Sequence, residues 1–403
     1  MTKSYTTVTK CRVCRSDKLN SILSLGDLCV STFVDNPNDE VVKAPLELVI
    51  CGKCSLLQLR DTAPQELMYS RHYWYRSGLN TVIMNDLREI TEVASSMAEL
   101  KPGDIVLDIG ANDGTMLGFY PENLVRVGCE PADNLAIELK KVTTHVMHDF
   151  WNYENWRKHF GDKKAKVITA IGMFYDMEDP NQFISDSVKA LDKDGIFIAQ
   201  LMCLRPMLEK NDLGNICHEH LEYYSYESLK YLFETNGLEI FKVEENSING
   251  GSYRIFARHY KDGSVVFTEK FTIKDYKDFE KRIITNRDKC VKFIRKIVSE
   301  GKKVYVYGAS TKGNTILQYY GLDNVLIEGA AEKSSEKWGK YTVGTGIPII
   351  SEEEAREKAD YFLVLPWAFF NTFFMKEVKW LEKGGKFIVP LPEFRVVGRN
   401  DNP

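Results

Sequence analysis

The stretch "NICHEHLEYYS", residues 215–225, gathers a cysteine, two histidines, two glutamates and two tyrosines. A histidine that titrates near neutral pH suits proton transfer, and a nearby carboxylate suits the orientation of its ring. The same stretch offers metal-ligand types in Cys217, His218, His220 and Glu222, although H-E-H lacks the spacing of H-E-x-x-H. The pattern favours acid–base catalysis and leaves metal binding and a structural polar cluster open.

Four of the nine cysteines form two C-x-x-C pairs. Cys11 and Cys14 lie in "CRVC", and Cys51 and Cys54 lie in "CGKC". Two such pairs suit the four tetrahedral positions of zinc, with free thiols or a redox pair as the alternative. Because four thiolates leave no open position, the predicted zinc site is structural rather than catalytic.

The stretch "IVLDIGANDGT", residues 105–115, reads as an apolar strand that ends in a glycine turn. Gly110 and Gly114 would let backbone amides approach a ligand at the start of a helix. Glu130 follows at the distance of a carboxylate that binds ribose hydroxyls. The turn lacks the NAD and P-loop fingerprints, so the pattern predicts another adenosine cofactor, or a plain strand-to-helix turn without a ligand.

Length and composition bound the class of protein. The chain has 403 residues, which predicts two or three domains, and 44% hydrophobic with 27% charged residues is typical of a globular protein. A net charge of −4 gives no reason to expect nucleic-acid binding. The sequence contains no apolar run of membrane-spanning length and begins without a signal-peptide pattern, which predicts a cytoplasmic protein without a membrane partner. The oligomeric state stays open.

The order of elements predicts two α/β layers. "VITAIGMF" and "GIFIAQLM" read as buried strands separated by a helix, and "LEIFKVEEN" with "GGSYRIFARHY" reads as an antiparallel edge pair. A charged helical connector leads to "KVYVYGASTKGNTILQYYGL", which repeats the pattern of strand, glycine turn and helix. The predicted domains are a zinc module at 1–70, a Rossmann-like domain at 71–262 and a second Rossmann-like α/β domain at 263–403 that completes the substrate cleft.

"LDIGANDG" resembles the first motif of class I S-adenosylmethionine methyltransferases. The resemblance implies a cofactor site that contains Asp108, Asn112 and the two glycines of the turn, with Glu130 in the second-motif position. It also implies that "HDFW" places Asp149 and Phe150 near the adenine.

The order of the three parts is more specific than any single motif. A four-cysteine module, a methyltransferase domain with an E-H pair and a domain with "YGASTKGNT" together resemble the sugar C-methyltransferases. The resemblance implies transfer of a methyl group from S-adenosylmethionine to a carbon beside a ketone, through an enolate, on a nucleotide-linked deoxysugar. An O- or N-methyltransferase and a non-catalytic nucleotide-sugar binding protein are the alternatives.

The same resemblance assigns the opening stretch. Glu219 and His220 match the Glu-His pair of the family, which implies that His220 is the base, and His218 is expected to support it. Tyr224 and Tyr175 are further candidates for proton transfer. The chain departs from the family at two positions, because Cys217 stands where tyrosine is frequent and Asp176 lies near a position that is histidine in some members.

Three other segments match the family more loosely. "HYWYRSG" implies that Tyr75 and Ser77 close over the sulfonium, although an aromatic hinge between domains would have the same composition. "NGGSYR" makes Asn249 and Arg254 candidate substrate ligands, unless the arginine lies in a surface ion pair. Lys312 in "YGASTKGNT" would bind an anion such as a pyrophosphate, or the segment is a purely structural turn.

Overall fold

The structure is a computed structural model, and it describes residues 5–30, 32–69 and 73–401. The N-terminal part consists of strands with cysteine-bearing turns between them, and it ends in a short 3₁₀ helix, Gln65–Leu67. Its strands are β1 (Thr6–Thr7), β2 (Leu19–Cys29), β3 (Phe33–Val34), β4 (Lys43–Cys51), β5 (Leu57–Leu59) and β6 (Asp61–Thr62).

The central part alternates strands and helices, as the order of apolar segments predicts. Its helices are α1 (Thr81–Met97), α2 (Asp133–Leu139), α3 (Tyr153–Phe160), α4 (Pro180–Ala190), α5 (Leu204–Glu209) and α6 (Tyr226–Thr235). Its strands are β7 (Ile105–Ile109), β8 (Val125–Cys129), β9 (His145–Met147), β10 (Ala165–Ile171), β11 (Leu191–Met202), β12 (Glu222–Tyr223), β13 (Leu238–Asn246) and β14 (Ser252–His259).

The C-terminal part repeats this alternation after one long helix. Its helices are α7 (Ile273–Ser299), α8 (Thr311–Tyr320), α9 (Glu352–Lys358), α10 (Phe370–Lys376) and α11 (Val378–Glu382). Its strands are β15 (Val304–Tyr307), β16 (Gly329–Glu332), β17 (Tyr341–Thr342), β18 (Ile349–Ser351), β19 (Tyr361–Val364), β20 (Lys386–Val389) and β21 (Arg395–Val397).

The central sheet has the order β13-β14-β11-β10-β7-β8-β9. Strands β9, β8, β7, β10 and β11 are parallel, while β14 runs antiparallel between β11 and β13. The chain order reverses between β7 and β10, and ligands of such sheets bind in the crevice beyond the carboxyl ends of the strands at that point. All five residues of β7 are buried, as a strand covered on both faces by helices requires.

The C-terminal sheet has the order β18-β16-β15-β19-β20-β21, and only the β20–β21 pair is antiparallel. The two mostly parallel sheets and the cysteine module confirm the predicted fold class. Of the predicted domain limits, the first, between residues 70 and 71, lies outside the described residues. The second, between residues 262 and 263, falls between β14 and α7 and stays a prediction.

The three parts of the chain are joined by strand pairing. Strand β12 of the central part joins the sheet of the N-terminal part, whose order is β12-β5-β4-β2, and β17 of the C-terminal part pairs with β3. Among the described residues, no helix has the length and apolar character needed to cross a membrane.

Candidate active site

The four cysteines of the C-x-x-C pairs converge at one point. The sulfurs of Cys11, Cys14, Cys51 and Cys54 all lie within 4.8 Å of one another, and within the described residues no other cluster of three or more His, Cys, Asp or Glu side chains could hold a metal ion. The Sγ–Sγ distance is 3.5 Å for Cys11 and Cys54 and 3.4 Å for Cys14 and Cys51. Tetrahedral zinc with bonds of about 2.3 Å holds its sulfurs about 3.8 Å apart, so the residues present fit a structural zinc ion.

A cavity of about 550 Å³ lies beyond the carboxyl ends of β7 and β10, between the central and C-terminal parts. The predicted site residues that line it are Tyr75, Ser77, Gly110, Asn112, Glu130, Asp149, Phe150, Tyr175, Glu219, His220, Asn249 and Lys312. The structure therefore brings the predicted cofactor, catalytic and substrate residues together in one space, and their individual roles stay predictions.

The glycine turn after β7 forms one wall of the cavity. Gly110 has a φ of +70°, and a Cβ there would lie 2.7 Å from Cγ of Met173, so only glycine fits without a shift. Gly114 has a φ of +81°, but its missing side chain faces Val142 and Leu139 rather than the cavity. The first glycine thus faces the ligand space, and the second allows close packing of the turn.

Glu130 follows β8 and points to the same edge of the sheet, because Ile109 pairs with Cys129. Its Oε2 accepts a hydrogen bond of 2.9 Å from the backbone N–H of Asn112, and its Oε1 accepts one of 2.9 Å from Ala132. Burial raises the pKa of Glu130, and the two backbone donors oppose that rise. Each carboxylate oxygen keeps a further lone pair toward the cavity, which fits the two hydroxyls of a ribose.

Asn112 ties the aromatic-serine segment to the glycine turn. Its Oδ1 accepts from the backbone N–H of Ser77 at 3.0 Å, and its Nδ2 donates to the carbonyl of Tyr75 at 3.1 Å. Asn112 has a φ of +52°, a conformation that asparagine tolerates better than most residues. One side-chain amide therefore holds the segment against the glycine turn at this end of the cavity.

Two predicted cofactor carboxylates occupy different positions. Asp149 lines the cavity after β9, and its Oδ1 accepts a hydrogen bond of 2.8 Å from the N–H of Phe150. Asp108 lies below the glycine turn, where its Oδ1 accepts from Oγ1 of Thr169 at 2.6 Å. Burial raises the pKa of Asp108 to about 7. Asp108 thus supports the turn from β7 and does not line the cavity.

His220 lies at the other end of the cavity, in the loop before β12. Its Nδ1 lies 2.8 Å from the backbone carbonyl of Asn215 and 3.0 Å from Oδ1 of the same residue. A carbonyl oxygen accepts only, so Nδ1 carries the proton and Nε2 carries the lone pair. In the described part of the chain, Nε2 has no hydrogen-bond partner, and the edge of the Tyr175 ring packs on the imidazole at 4.5 Å between ring centroids.

Burial and the positive charge of Lys312 hold the pKa of His220 well below its usual value. Lys312 belongs to the first turn of α8, and its Nζ lies 3.1 Å from the sulfur of Met202. The imidazole is therefore neutral near pH 7, with a free lone pair beside an ammonium group. This arrangement suits proton removal next to a developing oxyanion.

Two carboxyl groups share this end of the cavity. Oδ1 of Asp176 and Oε2 of Glu219 are buried and have no hydrogen-bond partner among the residues that the structure describes. Burial raises the pKa of both, and for Asp176 repulsion from Glu219 and Glu222 adds to the rise. Cys217 also lines this end. Unpartnered buried polar atoms of this kind await a hydrogen-bonding ligand.

Two predicted catalytic residues lie outside the cavity. Nε2 of His218 lies 3.0 Å from the carbonyl of Ala44 in β4. The Tyr224 ring is buried and stacks on Phe174 at 5.5 Å. The structure does not bring these side chains to the cavity. The alternative metal site in the opening stretch is likewise wrong, because His218, His220 and Glu222 each face a different partner.

Arg254 lies in a buried ion-pair network instead of the cavity wall. Its Nη2 lies 2.8 Å from Oδ1 of Asp86, its Nη1 lies 2.9 Å from Glu89, and its Nε donates to Gln200 at 2.9 Å. Strand register explains the placement, because Arg254 of β14 pairs with Gln200 of β11. The alternative of an ion pair is therefore the correct one, although the pair is buried rather than at the surface.

Sequence reasoning missed residues in and beside the cavity. Asn215 fixes the tautomer of His220, and it opens the same stretch of sequence, so its position was the available signal. Asp212 and Trp367 also line the cavity, and Nε1 of Trp367 donates to Oδ1 of Asp212 at 3.0 Å. No local pattern points to this pair, because Asp212 belongs to the central part of the chain and Trp367 to the C-terminal part, and only the folded structure brings them together.

Three family models match consecutive parts of the chain. They are described as "Putative zinc binding domain" for residues 11–69, "Methyltransferase domain" for residues 83–243 and "C-methyltransferase C-terminal domain" for residues 247–392. The chain is 28% identical to the C-methyltransferase NovU of Streptomyces niveus over 408 residues, which covers 97% of each protein.

Two solved methyltransferase structures each match less than half of the chain. Magnesium protoporphyrin IX methyltransferase (ChlM) from Synechocystis PCC 6803 with bound SAM is 12% identical, with a TM-score of 0.34, over 44% of this chain and 82% of that chain. The plantazolicin methyltransferase BpumL in complex with SAH is 13% identical, with a TM-score of 0.35, over 43% of this chain and 82% of that chain. These scores are too low to carry an argument.

The three matched domains and the full-length relative agree with the geometry of the two sites. The four thiolates fit structural zinc, and the glycine turn with Glu130 fits the adenosine part of S-adenosylmethionine. The chain therefore joins a part similar to a zinc-binding domain, a part similar to a methyltransferase domain and a part similar to a C-methyltransferase C-terminal domain, and over its full length it is similar to a C-methyltransferase.

Proposed function

We propose that the protein methylates a carbon beside a ketone of a nucleotide-linked deoxysugar, with His220 as the base that forms an enolate. The observation that carries this proposal is the bond from Nδ1 of His220 to the carbonyl of Asn215 at 2.8 Å. That bond leaves Nε2 as a basic nitrogen in the cavity wall, where it can reach a substrate proton.

The steps follow from the groups around His220. Nε2 takes the proton from the α-carbon, and the electron pair of the broken C–H bond moves through the carbon to the ketone oxygen. The α-carbon would then take the methyl group that S-adenosylmethionine supplies when bound, so that the ketone is restored and S-adenosylhomocysteine leaves. The ammonium of Lys312, which interacts with both His220 and Glu219, stabilises the negative oxygen.

The sugar assignment is supported by the polar groups at the catalytic end. Asp176 and Glu219 offer unpartnered carboxyl oxygens, which suit the hydroxyls of a sugar. The start of α8, with Ser310 and Thr311, also lines the cavity, and the N-terminus of a helix suits the diphosphate of a nucleotide-linked substrate.

Proton exchange tests the enolate directly. A nucleoside-diphosphate-linked keto-deoxyhexose in D₂O should lose its α-proton signal in NMR spectra when the wild-type enzyme is added. The variant His220→Asn should slow both exchange and methylation by about 100-fold or more, with unchanged cofactor affinity. His259→Asn, at the end of β14, is the matched control and should behave as wild type. Methylation without any exchange would instead indicate an O-methyltransferase, and cofactor-independent substrate binding without turnover would indicate a binding protein.

A further inference from the structure

The segment that carries His220 is held by the zinc module on both sides of the histidine. We call residues 218–223 the catalytic segment. Nε2 of His218 bonds to the carbonyl of Ala44 at 3.0 Å, and the hydroxyl of Tyr69 donates to the carbonyl of Glu219 at 2.9 Å. The backbone N–H of Leu59 donates to the carbonyl of Leu221 at 2.9 Å. The segment therefore uses the module as its scaffold.

The last two residues of the catalytic segment complete the module's sheet. Glu222 pairs with Gln58, and Tyr223 pairs with Leu57, so β12 is a strand of that sheet rather than of the central one. The central part contributes the carbonyl of Tyr175, which accepts from the N–H groups of residues 221 and 222. His220 thus lies in a short loop whose downstream end is fixed by β5.

Arg12 links this scaffold to the cysteine cluster itself. It lies between Cys11 and Cys14, and 2% of its surface is exposed. Its guanidinium donates to the carbonyl of Leu59 and, at 2.7 Å, to Oγ1 of Thr62. Its Nε lies 3.6 Å from Oε1 of Glu222, whose side chain is fully buried.

The charge of Arg12 matters because of where Glu222 lies. Arg12 is the ion-pair partner of Glu222, and within the described residues no second basic side chain pairs with that carboxyl. Without that guanidinium, the buried Glu222 carboxyl moves toward water or the carbonyl of Leu59 turns toward another donor. Either change would act on the chain within two residues of His220.

We propose that the zinc module sets the position of the catalytic base, with Arg12 and His218 as positioning residues that hold the catalytic segment at its two ends. This inference rests on the proposed role of His220 as the base. A misplacement of about 1 Å can cost about 100-fold in rate, so the module would control the chemical step without contact to the cofactor. The module's function would then extend beyond stabilising its own fold.

Two substitutions in the same cysteine turn give a matched comparison. Arg12→Met removes the buried partner of Glu222, whereas Arg15→Met removes the exposed pair of Arg15 and Asp179, which are 52% and 49% exposed. Arg12→Met should lower kcat for methylation by about 10-fold to 100-fold, with KM and cofactor affinity within about twofold of wild type. Arg15→Met should leave kcat unchanged. Equal kcat values for the two variants, with zinc retained in both, would overturn the proposal.

His218 provides a second test in case Arg12→Met fails to fold. Glutamine can place an N–H donor near the position of Nε2, so His218→Gln should keep most of kcat, while His218→Leu should lose it. The absence of any difference between these two folded variants would overturn the role of His218.

A spectroscopic measurement separates this proposal from the proposed function. The imidazole signals of His220, assigned in NMR spectra by their loss in His220→Asn, should shift in Arg12→Met and in His218→Leu but not in Arg15→Met. If wild type methylates no keto-sugar, the proposed function fails, yet these shifts would still show positioning. Unshifted His220 signals in both variants would overturn the positioning role even if the enzyme is a sugar methyltransferase.

Discussion

The backbone N–H of Asn112 donates to the carboxylate of Glu130 at 2.9 Å. The side chain of the same asparagine holds the segment that contains Tyr75 and Ser77. The carboxylate predicted to bind ribose and the segment predicted to cover the cofactor are therefore fixed by one residue of the glycine turn. A substitution of Glu130, or one in the segment that contains Tyr75 and Ser77, should therefore change the affinity for the cofactor.

Glu130→Ala should weaken S-adenosylmethionine binding by about 1.5 to 3 kcal/mol, the range for hydrogen bonds to a charged group. Isothermal titration calorimetry on the folded variant measures this loss. Glu122→Ala removes an exposed carboxylate of the same domain and should leave the affinity unchanged. Unchanged affinity in the Glu130 variant would place the ribose elsewhere.

Arg254→Met should lower the free energy of unfolding by about 3 to 5 kcal/mol, because it leaves Asp86 as a buried carboxyl without its cation. Urea titration followed by circular dichroism measures the loss. Arg399→Met breaks a surface ion pair between Arg399 and Glu382, which are 47% and 57% exposed. This control should lower the free energy of unfolding by at most about 1 kcal/mol. Full stability with lost substrate affinity would return Arg254 to the substrate site.

Purified, untagged protein should contain about one zinc ion per chain, since the four sulfurs form one closed tetrahedral site. Elemental analysis and thiol titration measure metal content and thiol reactivity. Cys11→Ser should lose the metal, whereas Cys29→Ser, in the same module but outside the cluster, should retain it. A protein without zinc and with four freely reactive thiols would contradict the site.

The sequence was sufficient to predict features that depend on neighbours along the chain. The glycine turn and Glu130 follow directly after strands that pair with each other, so their meeting at one edge of the sheet is a consequence of parallel pairing. The cysteine pairs carry their own ligand spacing. The order of apolar segments likewise predicted both α/β layers and the antiparallel edge.

Features that depend on contacts between distant segments could not be predicted in this way. "LEYYS" has no period that distinguishes a strand of the central sheet from a strand of the zinc module, and the structure pairs β12 with β5. Arg254 looked like a phosphate ligand because its partner Asp86 lies on a helix far away in the chain. Lys312 was recognised as a cation, but its position beside His220 depends on how the C-terminal domain packs on the central one.

The pH profile of methylation should show no loss of kcat between pH 8 and the ordinary histidine pKa of about 6.5. Burial and the charge of Lys312 lower the pKa of His220 well below its usual value, although the hydrogen bond from its Nδ1 to the carbonyl of Asn215 opposes them. A protonated imidazole cannot accept a proton, so activity should fall only as the pH drops through that lowered pKa. If kcat falls at or above pH 6.5 while the rate of α-proton exchange with solvent does not, the fall in kcat belongs to a group other than His220.

Lys312→Met should change both the rate and the pH profile. The titratable groups that line the cavity with His220 include Lys312, Asp176, Glu219, Asp212, Cys217 and Tyr175. Lys312 is the cation among these groups and lowers the pKa of His220, so its removal should raise that pKa and move the acidic limb of kcat to higher pH.

The same variant should lose about 100-fold or more in kcat if Lys312 stabilises the enolate oxygen, which is the usual effect of removing one such group. Lys340→Met is the control, because it removes a cation of the C-terminal domain that pairs with Asp35 of the N-terminal part. This variant should keep both kcat and the pH of the acidic limb. If the acidic limb of kcat moves to higher pH without a loss of kcat, Lys312 acts only on the pKa of His220. A loss of substrate affinity with an unmoved limb would instead place the ammonium at the diphosphate, away from the reacting carbon.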